Sequence, residues 1–124
     1  MSLFGWAWFV LACMVGAPAR YLLDGLVQDH TEGVFPYGTW VVNVTGSFLL
    51  GALTGLALYH GLGKLPKTVL GTGFCGAYTT FSTFTFETVR LAEEGDFGVA
   101  ARNAVLSLFV GGVAAGAGLT LAML

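Results

Sequence analysis

Gly73-Phe74-Cys75-Gly76-Ala77-Tyr78-Thr79-Thr80-Phe81-Ser82-Thr83-Phe84-Thr85-Phe86-Glu87 lies almost wholly inside an uncharged run, Thr68–Phe86, that is long enough to cross a bilayer. It nevertheless makes a poor continuous helix. Gly71, Gly73 and Gly76 each weaken a helix by about 1 kcal/mol relative to Ala. Thr79 and Thr80 follow, both β-branched, with hydroxyls that can bond the backbone in place of the helical ladder. The pattern predicts a helix that breaks near Gly76–Thr80 and resumes through Phe81 to Glu87. Irregular backbone survives at membrane depth only where protein buries it or a water-filled path runs beside it. Freed carbonyls at such breaks are recurrent cation ligands. A broken span therefore points to an ion site.

The rest of the chain fits a membrane setting. Of its 124 residues 56% are hydrophobic and only 10% charged, where a soluble domain carries roughly 25% charged residues. Mean hydropathy is +0.79. Three further uncharged runs, Leu3–Ala19, Val34–Tyr59 and Asn103–Leu124, approach the length of a spanning helix. The expected fold is an all-α membrane protein, a single domain over residues 1–124. Its four transmembrane helices fall at about 3–23, 38–60, 67–89 and 101–123, the third of them broken. Ala17-Pro18-Ala19 mimics a signal cleavage site, but no Lys or Arg precedes the apolar run and three more spans follow. The first run is thus expected to remain a span. Cys13 and Cys75 fall inside spans with no Cys-x-x-Cys, and His30 and His60 sit in separate loops, so no redox motif or shared metal site is expected. No nucleophile–base pair appears, and neither an enzyme nor a nucleic-acid partner is expected.

The basic residues carry topological information. Four spans place Lys64 and Lys67 on one side and Arg20, Arg90 and Arg102 on the other. Orientation follows the Lys/Arg bias of short loops, and two against three is almost none. One hypothesis is insertion in both orientations and assembly as an antiparallel homodimer. The other is a weakly biased chain held one way by something else. Reporter fusions at the C-terminus that label a single face would exclude dual insertion.

Along the chain, Trp6 and Trp8 suit an interfacial aromatic belt, and Pro18 is expected to bend the last turn of the first helix. Arg20 is either a snorkelling side chain at the lipid boundary or a fixed positive charge in an anion vestibule. Asp24 to Gly33 reads as a polar connector. Asn43, Ser47, Gly51 and Gly55 recur every four residues, the last three permitting close helix approach. Asn43 is either a structural bridge between helices or an amide donor facing an anion path. Gly61 to Lys67 reads as a turn, with Pro66 starting the next helix. Thr79, Thr83 and Glu87, spaced by four, form a hydroxyl-to-carboxylate track, and Phe81 and Phe84 lie on a neighbouring face. Phenyl rings have a positive edge, so their interleaving with Ser82 and Thr83 suits a dehydrated anion. Asn103, Ser107, Gly111 and Ala115 repeat the polar-to-small pattern of the second span.

These motifs resemble those of the Fluc (CrcB) family of fluoride channels. GFCGAYTTFSTFTFE (Gly73–Glu87) is similar to its third-helix signature, GTWVVNVTGSFLLG (Gly38–Gly51) to its second, and Arg20-Tyr21 to the end of its first helix. The resemblance covers the first three spans. It implies a dual-topology antiparallel homodimer in the bacterial inner membrane that passes fluoride out of the cell, with two pores flanking a structural sodium ion. By this match the main-chain carbonyls of Gly76 and Thr79 would hold the sodium. Phe81 and Phe84 would offer ring edges, Asn43 an amide donor, and Ser82 and Thr83 a polar track towards Glu87, with Arg20 in the vestibule. Two departures stand out. Ala77 occupies a position where the family usually has glycine, and Asn103 replaces a tyrosine, which leaves Ser107 as the safer fourth-helix candidate.

The main rival is a small multidrug exporter coupled to protons. That chemistry needs a carboxylate deep within a span, whereas Asp24 and Glu87 lie near span ends.

Overall fold

The computed structural model describes residues 1–124 and is helical throughout, without a strand. Helix α1 runs over Leu3–Asp29, opened by Ser2, whose hydroxyl accepts from the Gly5 N–H at 3.2 Å. It continues through Pro18, which lies in mid-helix and not in the last turn. It also takes in Asp24–Asp29, expected from sequence to be loop. Polar side chains explain the extension. The Thr31 hydroxyl donates to the Val27 carbonyl at 3.0 Å, His30 Nδ1 lies 2.8 Å from the Leu26 carbonyl, and Gln28 Oε1 accepts from the Gly38 N–H at 2.9 Å. The end of α1 is thereby capped and tied to the next helix, which makes the turns beyond the apolar run stable.

Helix α2 spans Tyr37–Tyr59, and α3 is a single turn at Lys64–Lys67. Pro66 therefore lies inside the first helical turn, where its missing N–H leaves no bond unmade. A π-helical segment covers Thr68–Cys75, followed by α4 at Gly76–Tyr78, α5 at Ser82–Glu93 and α6 at Phe97–Met123. Arg90, assigned from sequence to a charged connector, sits in the last turn of α5 and pairs with Glu94 at 2.9 Å. Arg102 lies within α6.

The glycine run does not interrupt the helix. Gly76 is right-handed helical (φ −62°, ψ −38°), and Gly71 and Gly73 lie in the wide π turns. Gly73 packs closely against α1, while a Cβ at Gly71 would meet Leu50 of α2 at 3.4 Å and one at Gly76 would meet nothing. An added Cβ at Gly73 would meet the Phe9 carbonyl at 3.3 Å, and one at Gly16 would overlap the Phe74 carbonyl. The Cys13 thiol donates to the Gly73 carbonyl at 3.4 Å. The ladder stops one turn later, where Thr79 turns extended (φ −81°, ψ 163°), and restarts at Ser82.

Three helices, α1, α2 and α6, are long and apolar enough to cross a membrane, while Lys64–Glu93 comes in shorter pieces. The four-residue patterns on α2 and α6 meet each other. Gly111 faces Ser47, Gly51 faces the Ala115 carbonyl, and Gly55 faces Leu119 and Ala122, so the two helices run in the same direction. Backbones approach this closely only where Cβ atoms are small or absent.

Only 18 of 124 residues are buried, and the accessible area is 7568 Å². A compact soluble protein of this mass would expose about 6,300 Å². The excess is apolar, with Leu3, Tyr21, Phe81 and Leu108 all more than three-quarters exposed. Lipid or another protein surface must cover it.

Candidate functional site

The interruption at Thr79–Phe81 is held by α2. Asn43 Oδ1 accepts from the Thr80 N–H and its Nδ2 donates to the Thr80 carbonyl, both at 2.8 Å. Thr80 in turn caps the next helix, its hydroxyl oxygen accepting from the Thr83 N–H at 3.1 Å. Side-chain oxygens at such positions satisfy N–H groups that have no ladder partner.

These bonds have a direct consequence for the main chain. In an unbroken α-helix the Thr80 N–H would donate to the Gly76 carbonyl, and the Thr83 N–H to the Thr79 carbonyl. Both donors are diverted to side-chain oxygens. The carbonyls of Gly76 and Thr79 thus stand outside the ladder. The Thr79 hydroxyl looks back, donating to the Cys75 carbonyl at 2.8 Å.

Close approach of α2 makes the clasp possible. A Cβ at Gly46 would overlap the Thr79 methyl and crowd the Tyr78 ring. Tyr78 is buried, stacked on Phe74 with ring centroids 5.6 Å apart, and its hydroxyl lies 2.8 Å from Thr45 Oγ1.

Beside the interruption is a cavity of about 390 Å³ that brings together Asn43, Gly76, Thr79, Phe81, Phe84 and Ser107. The Phe81 and Phe84 rings are 6.0 Å apart and tilted by 45°. Phe81 is 77% exposed, so the cavity is open on that flank. The Ser47 hydroxyl also lines it but is committed to the Asn43 carbonyl at 2.7 Å. Asn43 retains one amide hydrogen beyond its bond to Thr80.

The other residues singled out from sequence lie elsewhere. Ser82 is exposed, its hydroxyl 3.4 Å from that of Thr80, and Thr83 is half-buried on the first turn of α5. Glu87 accepts a hydrogen bond from the Thr39 hydroxyl and lines a second cavity of about 250 Å³ with Gln28, Arg90 and Glu94. Arg20 lines neither cavity, and its Nε is buried without a partner. The expected track of Thr79, Thr83 and Glu87 on one helical face does not form as such. Thr79 lies before the interruption in extended conformation, so only Thr83 and Glu87 share a face of α5.

Two residues were undervalued from sequence. Thr80 is the hinge of the clasp, and a hydroxyl residue just before a resumed helix, three positions ahead of the N–H it caps at Thr83, was the signal for it. Asn103, read as a gap in one wall, is 1% exposed and fully engaged. Its Nδ2 donates to the Thr88 hydroxyl at 2.7 Å, and its Oδ1 accepts from Ser107 at 3.4 Å. Thr88 then donates to the Phe84 carbonyl at 2.7 Å. A part-buried polar chain therefore links the Phe84 turn to the Ser107 wall.

A family model described as "CrcB-like protein, Camphor Resistance (CrcB)" matches residues 7–119. A protein of Streptomyces avermitilis named "Fluoride-specific ion channel FluC 1" is 48% identical, the match covering 91% of each chain. A "Fluoride-specific ion channel FluC 1" of Frankia casuarinae is 44% identical over 94% of this chain and 95% of its own. A "Fluoride-specific ion channel FluC 2" of Mycolicibacterium paratuberculosis is 45% identical over 96% of this chain and 94% of its own.

Proposed function

The chain belongs to the CrcB-like family, and from that membership we propose that it is a passive, fluoride-selective channel that exports cytoplasmic fluoride. It is a multi-pass bacterial membrane protein and not an enzyme. The observation that carries the reading is the cavity beside Thr79–Phe81, where an amide, a serine hydroxyl and two phenyl rings converge.

Fluoride is small and strongly hydrated, so a selective path must replace its water with a close shell of donors. The free amide hydrogen of Asn43 supplies a donor at the cavity wall, and the Ser107 hydroxyl would become a second by turning from its 3.4 Å bond to Asn103 Oδ1. The positive edges of Phe81 and Phe84 complete a shell that larger, softer anions do not need. From there the hydroxyls of Ser82 and Thr83 on α5 lead towards Glu87, at the second cavity. Arg20 lines neither cavity, and its part would be that of a fixed positive charge in the vestibule, raising the local anion concentration.

The working unit in this reading is an antiparallel, dual-topology homodimer. A single copy leaves Phe81 exposed and the cavity open, and a second copy laid against it supplies the missing wall. The near-even Lys/Arg distribution supports insertion both ways. The main-chain oxygens of Gly76 and Thr79 would hold a structural sodium ion at the centre of the dimer. They fit a hard cation, being carbonyls whose ladder donors have been diverted to Asn43 and Thr80. Such an ion, when bound, supplies fixed positive charge near the anion path.

The experiment is fluoride efflux from liposomes holding the purified protein, followed with a fluoride electrode and compared with chloride. Fluoride efflux without accompanying chloride efflux is expected. No fluoride efflux, or proton movement driven by a cationic drug, would overturn the proposal in favour of an exporter.

A further inference from the structure

A third cavity, of about 130 Å³, lies away from the interruption, between the first turns of α2 and the start of α6. It is lined by Phe35, Tyr37, Trp40, Arg102 and Leu106. Two residues of its lining, Trp40 and Arg102, carry donor groups without a protein partner. The indole N–H of Trp40 is buried and has no acceptor. Arg102 is exposed and makes no ion pair, the single salt bridge of the chain being Arg90–Glu94. A buried N–H without an acceptor is costly, and a ligand oxygen would relieve it.

We infer that this cavity binds the phosphate headgroup of an anionic phospholipid. The phosphodiester offers several acceptor oxygens, enough to take the Trp40 N–H and pair with the Arg102 guanidinium together. Tyr37 and Trp40 are residue types that settle at headgroup depth, where one end of the ring is apolar and the other wet.

The surface below the cavity selects a lipid over a free anion. Arg102, Leu106, Phe109 and Val113 follow at intervals of four, three and four, which places them on one stripe of α6. Leu106, Phe109 and Val113 are 38%, 68% and 56% exposed. The stripe begins at a cation and continues as apolar surface, the order of a headgroup and its acyl chain. It also lies roughly 100–160° around the helix from Leu108, which lines the cavity beside the interruption. The stripe is thus separate from the face that the dimer reading assigns to the second copy.

The test is native mass spectrometry of delipidated full-length protein, titrated in detergent with dioleoyl phosphatidylglycerol or dioleoyl phosphatidylcholine. The wild type should carry a phosphatidylglycerol adduct in preference to phosphatidylcholine. Trp40→Phe, which keeps the ring and removes the N–H, and Arg102→Gln should each weaken that adduct about tenfold or more. Fluoride efflux by both variants should match the wild type, which reports that they fold. Equal adducts in wild type and variants would overturn the inference. So would displacement of the lipid by millimolar inorganic phosphate, which would mark a free-anion site. A fall in the dimer population in place of the adduct would mark the stripe as a protein interface and also overturn it. The lipid-adduct readouts do not depend on fluoride being the transported ion.

Discussion

Asn43→Ala is the most informative perturbation of the site. The carboxamide makes two hydrogen bonds of 2.8 Å to the main chain of Thr80. Leaving a buried donor and a buried acceptor unmet would cost about 1–3 kcal/mol each. Thr80 borders the cavity, where water can replace part of what is lost, so a net loss of about 1–3 kcal/mol is expected. The loss falls on the interrupted conformation alone, because a Thr80 N–H bonded to the Gly76 carbonyl, which extends α4 by one residue, is open to the wild type as well. The balance therefore shifts away from the open interruption by about 1–3 kcal/mol, and each 1.4 kcal/mol is tenfold. Fluoride efflux from liposomes should therefore fall about tenfold. Hydrogen exchange should report a changed protection of the Thr80 amide. Asn43→Asp should also lose flux, because its second oxygen would face the Thr80 carbonyl and place negative charge on an anion path. Efflux by Asn43→Ala within about twofold of wild type, with the Thr80 amide exchanging as before, would refute the reasoning.

Phe81→Ile should leave the stability of a protomer within about 0.5 kcal/mol, since the ring is 77% exposed. It should depress fluoride efflux about tenfold, and unchanged efflux would remove the phenyl edge from the path. Gly118→Val should destabilise the chain by about 3 kcal/mol, the upper range of overpacking. Its Cβ would overlap the Phe48 carbonyl and sit 2.8 Å from the Ala52 nitrogen, and a thermal melt in detergent reads the loss. Asn103→Ala should cost about 1–3 kcal/mol by emptying the link between Thr88 and Ser107. A melt that does not move would show that the amide is not needed there.

Much of the architecture was legible because it rests on local chemistry. Low charge and long apolar runs indicate the solvent, and the four-residue recurrence of Ser47, Gly51 and Gly55 indicates a face for close packing. That face meets Gly111 and Ala115, from the repeat read on the last helix, and Leu119 one turn further on. The ends of helices were less legible. Asp24–Asp29 looked like a connector by polarity, yet it is helical because Gln28, His30 and Thr31 satisfy nearby main-chain groups. Propensity placed the break near Gly76–Thr80, and within that range Gly76 itself stays helical. Gly73 admits α1, and the ladder gives way at Thr79, where the Asn43 and Thr80 side chains take the N–H groups of Thr80 and Thr83.

By itself the sequence determined a membrane-embedded helical chain, its apolar spans, the glycine faces and the set of polar and phenyl residues able to meet an anion. Those follow from hydropathy, side-chain volume and hydrogen-bonding capacity, which each residue carries with it. The tertiary structure alone decided which carbonyls leave the ladder, that Asn43 grips Thr80, and that Glu87 and Arg20 stand outside the cavity holding Phe81 and Phe84. These depend on which N–H meets which oxygen across helices distant in sequence. A hydrogen bond between Asn43 and Thr80 exists only once α1 and α2 have packed around the segment that contains it.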